Sequence, residues 1–111
     1  MSPRPLSEFE LLVMLAALRL GPDQAYSVSI VDEIELKTGR SVRRANVFMT
    51  LRRLESKGLI STRLGDARPE RGGKPRRLVT LCPEGVTAVG SSTSAIQALS
   101  EDLDGAVGEA G

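Results

Sequence analysis

Leu11, Leu12, Leu15 and Leu18 recur at helical spacing just after Ser7 and Glu10, a pair with the separation of a capping box; Leu6 is placed to staple onto Leu11. The Gly21–Pro22 pair stops that helix. A second helix is expected over residues 28–38, with Ser27 as candidate cap, Ile30 and Ile34 on its buried face, Val31 at the edge of that face, and Gly39 at its end. A third is expected over residues 44–57, closed by Gly58 as a C′ glycine. Val47, Leu51 and Leu54 form its core stripe. At about 100° per residue, Ala45, Met49, Arg52 and Ser56 point the opposite way, while Asn46, Thr50, Arg53 and Lys57 form a polar flank.

The period then shortens. The β-branched segments "LISTRL" and "RLVTL" predict two strands of a hairpin, joined by residues 66–75, a span longer than the roughly two to five residues usual for such a loop. Pro83 is suited to open a last helix. Val86, Val89, Ile96 and Leu103 fall on one face of it and Leu99 is a further apolar position, but Thr93 and Ser100 interrupt the face. Gly90 and the run "SSTS" lower its helix propensity, and the end after Leu103 is expected to fray. There is no internal repeat.

Length and composition narrow the class. A chain of 111 residues suffices for one modest core. A single cysteine, Cys82, allows no disulfide within the chain and favours packing at a strand end over redox chemistry. The beginning of the chain lacks the cationic and apolar regions of an export signal, and the longest apolar run, "LLVMLAAL", is far too short to span a bilayer. A cytoplasmic protein with no membrane partner is therefore expected.

The formal net charge of +1 hides a division. Residues 40–77 hold twelve Lys/Arg against Glu55, Asp66 and Glu70, a net +9, and the rest of the chain carries −8. A cationic middle between acidic ends points to a polyanionic partner. Its densest part is "PERGGKPRR", residues 69–77, where Gly72 and Gly73 would let a loop follow a surface closely while Arg71, Lys74, Arg76 and Arg77 supply charge.

Three helices followed by a hairpin with a basic tip is the order of a winged helix-turn-helix. The blocks "LSEFELLVMLAAL", "AYSVSIVDEIELKTGRSV", "NVFMTLRRLESKGLI", "RPERGGKPRRLVTL" and "PEGVTAV" resemble, in order, those of the PadR-like transcriptional regulators, over roughly residues 6–89. The resemblance implies a mainly α fold with a small β-hairpin: a winged helix-turn-helix over residues 1–82 and a C-terminal dimerisation helix and tail over 83–111. It also implies a homodimeric repressor bound to a palindromic operator in double-stranded DNA, with the third helix in the major groove and the wing on backbone or minor groove. Some such proteins bind a small-molecule effector, of unknown identity here, and no cofactor or metal is implied.

The candidate DNA contacts are Arg43, Arg44, Asn46, Phe48, Met49, Arg52, Arg53 and Lys57 on the third helix and Arg71, Gly72, Gly73, Lys74, Arg76 and Arg77 on the wing. Val86, Val89, Ile96, Leu99 and Leu103 are the candidate dimer contacts, with the first helix assisting. Family members commonly carry Tyr where this chain has Phe48, Thr and Tyr where it has Cys82 and Val79, and a small capping hydroxyl where it has Arg43. Two arginines at a helix start oppose its dipole, which is tolerable where phosphates approach; the alternative is that Ser41 caps an earlier start and the arginines are solvated.

Rival functions have less support. An enzyme would need chemistry that a chain with no histidine and no phosphate-cradling glycine loop does not offer. Single-stranded nucleic acid would call for stacking aromatics, and only Phe9, Tyr26 and Phe48 exist. A winged helix serving only as a protein-interaction module remains the alternative.

Overall fold

The computed structural model describes residues 5–65, 75–103 and 105–106. The element order is α1 (Glu8–Leu20), α2 (Ser27–Thr38), α3 (Arg44–Ser56), β1 (Ile60–Leu64), β2 (Arg77–Leu81) and α4 (Pro83–Ser100).

Local chemistry sets most of the boundaries. Ser7 Oγ accepts from the Glu10 N–H and Glu10 Oε1 accepts from the Ser7 N–H, completing the capping box of α1. Gly39 ends α2 in the left-handed region, φ 73°, and its N–H donates to the Glu35 carbonyl. After α3, Gly58 turns the chain at φ 76°, and the Gly58 and Leu59 N–H groups close onto the carbonyls of Glu55 and Leu54. The Glu35 carboxylate accepts from the Val42 N–H at 3.0 Å, fixing the turn that aims α3.

β1 and β2 pair antiparallel, with Ile60 opposite Leu81 and Leu64 opposite Arg77. The hairpin is tied to the helices by a bond from the Val79 N–H to the carbonyl of Ala25, a fully buried residue of the α1–α2 connection. One core results. Val13 and Met14 of α1, Ile30 of α2, Val47 and Leu54 of α3 and Val79 of β2 are the largest of its fully buried apolar side chains.

Several expectations are corrected. In α1, Leu18 is exposed and Leu12 and Leu15 are only half-buried, whereas Val13, Met14, Ala16 and Ala17 are buried. The reason is that α1 is central, packed against α2, α3, β2 and α4, so its buried surface is not a single stripe. The cap of α2 is Tyr26 rather than Ser27; Ser29 Oγ reaches back to accept from the Tyr26 N–H. Ser41 does not cap α3, which starts with Arg43 at the cap and no side-chain bond there. Thr50, assigned to the polar flank of α3, is 1% exposed.

α4 runs unbroken through Gly90 and "SSTS". Thr93 Oγ1 donates back to the Val89 carbonyl and Ser100 Oγ to that of Ile96, so these hydroxyls are satisfied by their own helix. It ends at Ser100, so Leu103 lies beyond it. Val89 is buried within its own chain at 5% exposure and has little surface left for a second copy; Val86, Ile96, Leu99 and Leu103 are exposed.

Candidate nucleic-acid interface

Burying Val47, Thr50, Leu51 and Leu54 turns the opposite side of α3 to solvent. Ala45, Met49, Arg52 and Ser56 make up that outer face, flanked by Asn46 and Arg53 on one side and by Arg44 and Phe48 on the other. All eight are exposed. Arg43 and Arg44 stand at the helix start with no acidic residue in the first turn. The Asn46 side chain is exposed and its amide makes no hydrogen bond among the described residues.

The Phe48 flank faces a groove of about 420 Å³ between α3, the start of α2 and the stem of the hairpin. Tyr26, Phe48, Leu51 and Val79 supply apolar surface, and Arg44, Arg52, Arg76 and Arg77 supply charge. Arg76 lies over the Tyr26 ring, 4.4 Å from its centroid, a cation–π contact that holds the strand end against α2. Arg77 Nη1 donates to Thr62 Oγ1 at 3.0 Å, and Thr62 Oγ1 donates to Glu55 Oε2 at 2.8 Å. Arg76 and Arg77 therefore join the α3 face as one cationic surface, whereas Arg71, Gly72, Gly73 and Lys74 lie outside the described residues. Among the described residues no group of acids, histidines and cysteines is arranged to hold a metal, and no helix is long and apolar enough to cross a membrane.

Two assigned residues have other employment. Lys57 Nζ is 2.8 Å from Glu10 Oε2, tying the end of α3 to the start of α1 rather than extending the free cationic face. Arg53 Nη2 donates to Thr50 Oγ1, which steers that guanidinium along the helix flank. Tyr26, Thr62 and Glu55 were not among the sequence-assigned contacts. A lone aromatic immediately before α2, in a chain with three aromatics, was the available signal for Tyr26.

Burial raises the Glu10 pKa, but the bonds from Lys57 and Ser7 together outweigh it and hold the carboxyl below its ordinary value. A depressed folded-state pKa gives stability that is full above the unfolded-state value and lost as pH falls through the folded-state one. Glu10→Gln should therefore flatten the acid limb of the stability–pH profile, and Glu10→Ala should cost about 1–3 kcal/mol at neutral pH. Urea unfolding as a function of pH checks both.

The whole arrangement has counterparts among solved structures. A PadR-like transcription factor from Bacteroides fragilis matches at 22% identity and TM-score 0.67, over 86% of each chain. The PadR-like winged helix is the fold of this chain. A PadR-family transcriptional regulator from Eggerthella lenta matches its PadR-like frame at 24% identity and TM-score 0.65, over 90% of this chain and 86% of that one. One from Bacillus cereus does so at 12% identity and TM-score 0.68, over 87% and 91%. No family model and no curated protein matches the sequence. The agreement is thus one of backbone architecture, reached with few shared side chains.

Proposed function

We propose that this chain is a sequence-specific, double-stranded DNA-binding transcriptional regulator that acts as a homodimeric repressor. The observation that carries the reading is the continuity of the exposed α3 face with the arginine-bearing hairpin stem, on a PadR-like frame whose counterparts include transcriptional regulators. In this reading α3 enters the major groove by its start. Arg44, Arg52, Arg76 and Arg77 neutralise phosphates, and the wing contacts backbone or minor groove. Bound over a promoter, such a protein represses by occupancy.

The second copy is proposed to lie against α4 and α1. Supporting this, Val86, Ile96 and Leu99 are exposed on α4, and a groove of about 380 Å³ opens between α1 and α4, lined by Leu6, Leu11, Ala88, Ala95 and Ile96. Light scattering at micromolar concentration should find a particle of twice the single-chain mass, and a stable single chain would end this part of the proposal.

Asn46 is the proposed base reader. It stands exposed in the first turn of α3, and its amide can pair bidentately with adenine. Sequencing genomic fragments retained by the protein supplies the operator. On that duplex, Asn46→Ala should cost about 1–3 kcal/mol and have little effect on a scrambled one, whereas Arg52→Ala should weaken both about equally. No enrichment of any sequence, or equal losses for Asn46→Ala on both duplexes, would refute specific reading by this helix.

A further inference from the structure

Among the described residues Glu55 is the acid that lines the cationic groove. A carboxylate beside a phosphate backbone should repel it, so its presence there needs a reason. The hydrogen bonds supply one. A carboxylate can only accept, so the single proton of the Thr62 hydroxyl is committed to Glu55 Oε2 at 2.8 Å. The lone pairs of Thr62 Oγ1 then face outward, and Arg77, which can only donate, fills one of them through Nη1 at 3.0 Å. Every direction in this chain is forced by the chemistry of its members. It runs from α3 to β1 to β2, linking the helix to the strand that leads into the wing.

We infer that Glu55 is a positioning residue, which through Thr62 holds the Arg77 guanidinium at the angle required for contact with the DNA backbone. This rests on the DNA-binding reading above and names a device within that surface. Glu55 and Arg77 are exposed in the free protein, so the relay contributes little to stability there. When a duplex covers the groove, water leaves and the same bonds strengthen. Arg77 meets the phosphate with one donor engaged by Thr62 and its rotamer freedom already restricted, which lowers the cost of binding.

The test is a double-mutant cycle read as affinity for a mixed-sequence duplex of about three helical turns at fixed low salt. Glu55→Ala should weaken binding by about three- to thirty-fold although it removes a negative charge, the size of coupling found within one hydrogen-bonded network. Arg77→Ala should weaken it comparably, and the double variant should bind no more weakly than Arg77→Ala alone. Thr62→Val should reproduce the Glu55→Ala loss and Thr62→Ser should restore wild-type affinity, with thermal midpoints nearly unchanged throughout. Tighter binding by Glu55→Ala, as charge alone demands, would overturn the inference, as would simple additivity with Arg77→Ala. Failure of the wild-type chain to bind any duplex would instead remove the DNA-binding reading, and this inference with it.

Discussion

Raising the salt concentration from about 50 to about 200 mM should lower affinity for duplex DNA by roughly 10³–10⁵-fold. The size follows from the charges that the fold gathers on one surface. Arg44, Arg52, Arg76 and Arg77 line the groove between α3 and the hairpin stem, Arg43 stands exposed at the cap of α3, and the proposed homodimer would present each of them twice. If about six to ten of these meet phosphates, each displaces condensed counterions, and the logarithm of the affinity falls with the logarithm of salt by about 0.9 per contact. Titrations at four or five salt concentrations give the slope directly. Arg76→Ala should reduce it by about one contact per subunit without changing sequence preference. A flat salt dependence would mean that the cationic middle of the chain is not a polyanion surface at all.

Gly85→Ala should lower the stability of the fold by roughly 1–3 kcal/mol, towards the upper end of that range. Gly85 sits in the first turn of α4, where the helix lies directly on the start of the hairpin. A methyl group built there runs into the Leu59 carbonyl oxygen and comes within 3.0 Å of Met14 Cε. Met14 could move aside. The Leu59 carbonyl cannot, because it accepts the Cys82 N–H at 2.9 Å and belongs to the link that closes the sheet. For a domain of this size such a loss lowers the thermal midpoint by on the order of 10–20 °C. Gly90→Ala is the matched control on the same helix. It meets nothing within 4 Å, so the gain in helix propensity should leave stability equal or raised by about 0.5–1 kcal/mol. Circular dichroism melts of the two variants decide the matter; equal melts would mean that α4 does not dock on Leu59.

These two effects come from different levels of organisation. The salt response rests on charge that is countable along the chain: a net +9 over residues 40–77 is a property of composition, and any fold that exposes those residues on one side would respond to salt. The Gly85 effect needs two backbones brought together from different parts of the chain. "PEGVTAV" marks a helix start, but nothing in those seven residues states that the glycine is there to admit Leu59.

The same division holds across the molecule. What the sequence determined by itself was whatever depends on near neighbours: the Ser7–Glu10 capping box, the glycine ends of α2 and α3, Pro83 at the start of α4, two strands, and a third helix with one apolar stripe and a cationic outer face. Helix ends and strand periods are set by steric and hydrogen-bonding rules spanning a few residues, so they are written locally. Only the tertiary structure decided which helix would be central, and hence that Val13 and Met14 are buried while Leu18 is not. It also decided that Thr50 is covered, that Val89 is spent within its own chain, and that Lys57 answers Glu10 from 47 positions away. The Arg76–Tyr26 stack and the relay from Glu55 through Thr62 to Arg77 belong to the same group. A polar side chain several bonds long can satisfy itself with whatever partner the packed core brings within about 3 Å. That partner is chosen by how the elements dock, and no spacing along the chain encodes it.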